Sequence, residues 1–177
     1  MLMTYNIATD EFPYQLVILL GGNPQVGETV YGGPHGWYPQ VTIKRRFGLR
    51  ALSEAELLGW LHAFMGTVQP FSLEFGQILT GRLPVEVIEV VNKEPQWLHR
   101  SVMTHLGRKI RSRYPDREGG RYFPHMTVEW NGRHVVDAGQ FVSSRWNVDR
   151  IWLIKDDVEA DDSRIFASFP LCGELKQ

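Results

Sequence analysis

Two periods run through the chain. Tyr14 to Leu20 is an unbroken apolar run, short enough for a strand and apolar enough to be buried on both faces. Gln40 to Arg46 reads as another strand, and Tyr122 to Trp130 alternates. Side chains two apart on a strand share a face. Phe123, His125, Thr127 and Glu129 therefore point one way, and Tyr122, Pro124, Met126, Val128 and Trp130 the other. Pro70 to Leu79 sets Phe71, Leu73 and Phe75 against Ser72, Glu74 and Gly76, a half-exposed strand, and Val85 to Val91 is a further strand ended by Asn92.

Two segments change to helical spacing. Ser53-Glu-Ala-Glu56 has the form of a capping box, and Leu57, Leu58, Leu61, Phe64 and Met65 follow at helical intervals. A helix is expected from about Ser53 to Gly66. Trp97, Leu98, Val102, Leu106 and Ile110 form the stripe of a second helix, with Lys109, Arg111 and Arg113 in its last turns, where cations suit the macrodipole. Pro115 to Gly120 breaks it, and Asn131-Gly132 marks a turn. Arg150 to Lys155 and Ile165 to Leu171 close the chain as strands joined by an acidic turn, Asp156 to Asp162. This order predicts an α+β fold with mostly antiparallel pairing.

The alternating stretches are related. Tyr38-Pro-Gln-Val-Thr-Ile-Lys44 and Phe123-Pro-His-Met-Thr-Val128 share the order aromatic, proline, polar, apolar, threonine, apolar. Aligning Pro39 with Pro124 puts Gln40 under His125 and Thr42 under Thr127, an offset of 85 residues (125 − 40). The chain therefore reads as two related halves with one motif each. A histidine and a threonine two apart place a proton carrier near neutral pH beside a neutral donor to a phosphoryl oxygen. A lone His-x-Thr is a weak signal; the second copy makes it a candidate site. In the first copy the histidine is a glutamine.

Composition narrows the partners. A length of 177 residues fits one domain, 1–177, or two small lobes sharing a core. The net charge is −1, with no global pull toward long duplex nucleic acid, so a nucleotide, a short oligomer or an RNA end is the expected form of any nucleic-acid partner. Cys172 is the only cysteine, which excludes an intrachain disulfide and a cysteine-based metal site. Met1 to Phe12 has no signal-peptide pattern, and the longest apolar run, Leu16 to Leu20, is too short to span a bilayer. A soluble, cytoplasmic setting is expected, with no membrane partner. Gly21 to Gly36 holds six glycines and two prolines but no P-loop or dinucleotide fingerprint. It reads as a mobile connection, with a lid over the first motif as the sharper alternative.

Together these features resemble the 2H phosphoesterase superfamily, in the branch called the 2′-5′ RNA ligase family. The resemblance covers nearly the whole chain: the apolar opening strand, Pro39 to Lys44, the capped helix, the paired strands, the amphipathic helix, Phe123 to Val128 and the closing Phe169-Pro-Leu171. It implies two pseudo-symmetric lobes of mostly antiparallel sheet with flanking helices and a central cleft. It also implies activity on 2′,3′-cyclic phosphates or 2′-5′-linked nucleotides, without a metal or cofactor. The second motif matches at His125 and Thr127; the first matches at Thr42 and departs at Gln40. In the family scheme one imidazole takes a proton from the attacking group, the other gives one to the leaving oxygen, and the hydroxyls hold the phosphoryl oxygens. Glutamine can donate a hydrogen bond but cannot carry the proton. Loss of one such partner costs about 10²–10⁴-fold, or roughly 3–5 kcal/mol of barrier.

Three readings stay open: a slow one-histidine enzyme, a non-catalytic nucleotide or RNA-end binder, and an enzyme that recruits another base. The enzyme leads, because one of four motif positions departs. His35, five residues before Gln40, is the candidate replacement base, against the plainer account of an exposed loop histidine. Lys44 either adds charge at the cleft floor or snorkels to the surface. Glu129 orients a ring or pairs with Lys44, against the plainer account of a structural ion pair. Trp37, Tyr38 and Tyr122 stack on a base or pack in the core. His62, His99, His105 and His134 read as surface or packing residues.

Overall fold

A computed structural model describes residues 11–31, 38–80, 85–130, 133–157 and 162–173. Its strands are β1 (Tyr14–Leu19), β2 (Gln40–Leu49), β3 (Phe71–Leu79), β4 (Val87–Val90), β5 (Ile110–Ser112), β6 (His125–Thr127), β7 (Glu129–Trp130), β8 (Arg133–His134), β9 (Arg145–Val148), β10 (Arg150–Asp157) and β11 (Asp162–Pro170). The helices are α1 (Glu54–Met65) and α2 (Glu94–Leu106), with short 3₁₀ turns at Pro115–Arg117, Gly119–Arg121 and Ala138–Gln140. All the strand pairs are antiparallel, in the order β11-β10-β1-β2-β6-β4-β3-β9; β5 pairs with the far end of β2, and β7 with β8 make a separate ribbon. Four strands thus lie on each side of a seam between β2 and β6. Each motif strand is the innermost of its half. This is the expected α+β fold of two pseudo-symmetric lobes.

One face of the sheet carries the main core. Leu16, Ile18, Val41, Ile43, Ile88, Met126 and Leu153 meet Leu57, Leu61 and Met65 of α1 and Leu98, Val102 and Leu106 of α2 there. Burying each of these large side chains stabilises the fold by about 1.5–3 kcal/mol. Helix α1 begins as expected: Ser53 accepts from the Glu56 N–H and the Glu56 carboxylate accepts from the Ser53 N–H, a capping box worth about 1 kcal/mol.

Helix α2 is shorter than its stripe suggests. Gly107 follows Leu106, and a glycine costs a helix interior about 1 kcal/mol relative to alanine. Beyond it the free edge of β2 offers backbone partners, and Ile110 pairs with Leu49 as part of β5. Lys109, Arg111 and Arg113 are therefore not in the helix. Trp97 is 52% exposed and lies outside the buried stripe.

The opposite face carries a smaller cluster, Val17, Leu19, Val30, Tyr38, Trp152, Ile154 and Ile165. The described part of the glycine-rich segment helps to close it. Gly27 N–H donates to Ile165 O at 2.8 Å, Val30 N–H to Ser163 O at 2.8 Å, and Ile165 N–H to Glu28 O at 2.9 Å. Residues 25–30 are thus stitched to the β11 edge, which corrects the expectation of a mobile connection for this half of the segment. Among the described residues no helix is long and apolar enough to cross a membrane.

Candidate functional site

The seam brings the two motifs together. Val41 of β2 pairs with Met126 of β6, and both are fully buried in the main core. Antiparallel strands count in opposite directions, so Thr42 is set across from His125 and Gln40 across from Thr127. Alternation turns these four residues to the face away from the helices, where all four are half-buried. On the outer sides Leu19 flanks Gln40, and Glu89 flanks His125.

His125 is held in one tautomer. Its Nδ1 lies 2.8 Å from Phe123 O, and a carbonyl only accepts, so Nδ1 carries the proton and Nε2 keeps the lone pair in the neutral ring. Phe123 stacks on the ring, with centroids 5.5 Å apart and planes at 17°. Burial pushes the imidazole below its usual pKa; the Phe123 carbonyl opposes this, and Arg45 and Arg117 push it down further. His125 and Thr42 line a cavity of about 180 Å³ with Arg45, Arg117, Arg121, Tyr122 and Phe123. Thr127 and Gln40 do not line it. Gln40 Nε2 donates to the Tyr31 hydroxyl at 2.8 Å, and its Oε1 is buried without a hydrogen bond among the described residues.

The three arginines are the residues that motif reasoning missed. The one signal for them is density: Arg111, Arg113, Arg117 and Arg121 fall within eleven residues, and Arg45 follows the first motif. Arg45 reaches the cavity through a defect in β2. Val17 pairs with Thr42 but Leu16 pairs with Lys44, so one extra residue is accommodated in β2. Directly opposed residues share a face, and Leu16 lies in the helix-side core. Lys44 is therefore turned toward the helices, and Arg45 takes the cleft position that simple alternation assigns to Lys44.

Lys44 is neither at the cleft floor nor at the surface. It is fully buried, and its three donors meet three acceptors: Glu118 Oε1 in an ion pair, Ser112 Oγ at 2.7 Å and Arg45 O at 3.3 Å. Burial lowers the affinity of the ammonium for its proton, and Glu118 opposes this. Glu129, which the shared face offered as a partner for Lys44, pairs through its backbone with His134 in the separate ribbon. Tyr38 is a core residue, 7% exposed, whose hydroxyl donates to Glu28 Oε2 at 2.7 Å; that bond raises its pKa to about 12. Its ring packs in the smaller core cluster, on the face away from the helices. His35 and Trp37 lie outside the described residues.

His99 and Tyr122 brace the cavity wall. His99 Nδ1–H donates to Ile43 O at 2.8 Å, and Nε2 accepts from Gly119 N–H at 3.0 Å, so the buried ring is neutral with both nitrogens used. Gly119 supplies that N–H from a left-handed backbone, φ +60°, which a side chain rarely adopts. Tyr122 stacks on His99, with centroids 4.0 Å apart and planes at 7°, and donates to Thr42 O at 2.8 Å. The turn that carries Arg117 and Arg121 is thereby fixed to β2. One side of the Tyr122 ring is spent on His99, while the residue still lines the cavity.

A pH dependence follows. Burial depresses the His99 pKa, so the unfolded ring binds its proton more readily than the folded one. The stability it contributes is complete above the unfolded imidazole pKa, about 6.5, and declines as pH falls toward the lower folded value. Urea denaturation midpoints should fall between pH 7.5 and pH 5. In His99→Gln, which does not titrate, that fall should be smaller; an unchanged pH response would show that His99 does not contribute.

Among the described residues no group of three or more His, Cys, Asp or Glu side chains is placed to hold a metal ion. No protein-family model matches the sequence, and no curated protein does either. Solved structures match the fold. One titled simply as a phosphoesterase superposes with a TM-score of 0.57 at 14% identity. TT0787 of Thermus thermophilus gives 0.54 at 17%, and Escherichia coli LigT complexed with 3′-AMP gives 0.54 at 14%. Each match covers 92% of this chain and 99% of the other. The chain therefore has the fold shared by these solved structures, Escherichia coli LigT among them.

Proposed function

We propose that the protein is a phosphodiesterase of the 2H type, acting on a 2′,3′-cyclic phosphate or a 2′-5′-linked nucleotide or RNA end. The observation that carries this reading is the cavity itself, lined by the tautomerically fixed His125, by Thr42 and by Arg45, Arg117 and Arg121. LigT structures complexed with 3′-AMP, NADP+, ATP and phosphate support a nucleotide phosphate as the ligand. In the proposed step His125 Nε2 takes a proton from water as the water oxygen bonds to phosphorus. The ester bond to the ribose oxygen breaks, and that oxygen is protonated from solvent. Thr42 and the arginines carry the charge that grows on the phosphoryl oxygens. Thr127 holds the second hydroxyl position at the seam.

Gln40 supports a second reading, binding without turnover. Its amide does not titrate, and its Nε2 donates to the Tyr31 hydroxyl, so Gln40 itself cannot carry a proton at the first motif. One experiment separates the readings: hydrolysis of a panel of 2′,3′-cyclic nucleotides and 2′-5′ dinucleotides by the protein and by Gln40→His. Restoring a leaving-group acid is expected to raise kcat by about 10²-fold or more. Equal, His125-dependent rates would show that the enzyme works with one imidazole. No turnover by either protein, with saturable nucleotide binding, would establish the binding role instead.

A further inference from the structure

We infer that a second cavity, beyond Gln40, holds the leaving nucleoside of a linear 2′-5′-linked substrate, with Arg150 as the platform for its base. The inference rests on the phosphodiesterase reading of the first cavity and deepens it. In an in-line displacement the entering and leaving oxygens lie on opposite sides of phosphorus. With His125 of β6 activating the water, the leaving oxygen is directed across the seam, toward β2 and Gln40. A cyclic phosphate has nothing to place beyond that oxygen, because its leaving group is its own ribose. A 2′-5′ linkage has a second nucleoside there.

The fold provides room for it. Leu19, which flanks Gln40, is on the wall of a cavity of about 520 Å³ that also takes in Arg150, Trp152 and Ser168. That volume lies within the roughly 300–1,000 Å³ of sites that enclose a small molecule. Leu19 and Trp152 belong to the cluster on the face away from the helices, the face that carries the motifs. Trp152 pairs with Val17, and Val17 with Thr42. Two strand steps set β10 about 10 Å from β2, within reach of a nucleoside joined to the reacting phosphate. Both lobes build the cavity. β9 ends one side of the sheet and β10 is next to last on the other, yet only Asp149 separates them in the chain. The sheet therefore curls until Asn147 and Asp149 line the same cavity as Arg150, and the arm after β1 adds Asn23. Amide and carboxylate groups of this kind match the edge of a base or a ribose hydroxyl.

Arg150 supplies the flat surface. Its guanidinium carbon lies over the Trp152 ring, 5.6 Å from the centroid, and its Nη1 donates to Ser168 Oγ at 3.0 Å. These two contacts hold the group against the indole. Trp152 itself is only 8% exposed, so a base in the cavity meets the arginine and not the indole. Guanidinium planes stack on unpaired bases, which a rounded ammonium does not do.

The test compares adenosine 2′,3′-cyclic phosphate, adenylyl-2′-5′-adenosine and the methyl ester of adenosine 2′-phosphate, with the protein, Arg150→Ala and Arg150→Lys. The two linear diesters differ only in the leaving group, a nucleoside or methanol. In the protein KM is expected to be about 10-fold lower for the dinucleotide than for the methyl ester, the usual worth of one stacked base. Arg150→Ala should remove that difference, and so should Arg150→Lys, which keeps the charge and loses the plane. KM for the cyclic compound and the methyl ester, which do not extend past Gln40, should be the same in all three proteins. Equal KM for the two linear diesters in the protein, or an equal rise for all three substrates in Arg150→Ala, would overturn the assignment and leave the phosphodiesterase reading standing. A difference fully retained in Arg150→Lys would overturn the stacked base. If nothing is turned over, calorimetry with the two linear diesters decides the matter separately. Arg150-dependent, tighter binding of the dinucleotide would uphold the cavity while rejecting hydrolysis, and equal binding would reject the cavity.

Discussion

His125→Ala is expected to reduce kcat on a 2′,3′-cyclic nucleotide by about 10²–10⁴-fold, the usual contribution of a positioned proton carrier. Phosphate affinity should fall much less, because Thr42 and the three arginines remain in place. Stopped assays for turnover and calorimetry for binding separate the two effects. The pH profile gives an independent check. His125 has its pKa held below the usual imidazole range by burial and by neighbouring arginines, and the base must be neutral to accept a proton. As pH rises, kcat/KM should climb through that lowered pKa and then level off. Gln40 has no titration, so it contributes no descending limb like the one that a second, acidic imidazole gives. In Gln40→His the profile should become bell-shaped. Undiminished activity in His125→Ala would end the assignment of His125 as the base.

The second large effect is on stability. Glu118→Ala should cost about 3–5 kcal/mol, the usual penalty for leaving one member of a buried ion pair uncompensated. Lys44 has no exposed surface, and the Glu118 side chain is only 12% exposed. Urea denaturation measures the loss. Lys44→Met should cost far less than Glu118→Ala, because removing the cation leaves no buried charge and the less deeply buried carboxylate can turn to water. If the two variants were equally destabilised, the cost would come from packing and not from an orphaned ammonium. Glu118→Ala should also weaken anion binding, since Gly119 and the turn to Arg121 follow directly in the chain.

The parts of this fold that were legible in the sequence are those that repeat. Ser53 to Gly66 and Tyr14 to Leu20 follow from period and capping, and the two motif strands follow from their shared spelling. That the two motif strands pair with each other was not legible, because a shared spelling does not say which strands are neighbours. What escaped has physical reasons. The end of α2 was hidden because Ile110 keeps the helical stripe going past Gly107, although its actual partner is Leu49 on β2. Tyr38 offered a stacking platform because an aromatic beside a motif reads the same whether its ring meets a base or packs in a core cluster. His99 sits between Leu98 and Arg100, and nothing local reveals that both its nitrogens bind backbone groups far away in the chain. The arginines of the cavity come from β2 and two 3₁₀ turns, which no single periodic segment connects.

The extra residue in β2 acts as a selector between two neighbouring cations. Lys44 and Arg45 carry the same charge, so composition cannot say which one a ligand meets; the path of the backbone decides. The inner position suits a compact ammonium, whose three hydrogens match Glu118, Ser112 and the Arg45 carbonyl. A guanidinium there would bring five, and two would go begging in a dry environment. The outer position rewards the opposite shape, a flat fork that grips two oxygens at once. A β2 that ran through Lys44 in plain alternation, with no bulge, would exchange these places at unchanged net charge. The anion would then meet a round, strongly hydrated head in place of a planar clamp.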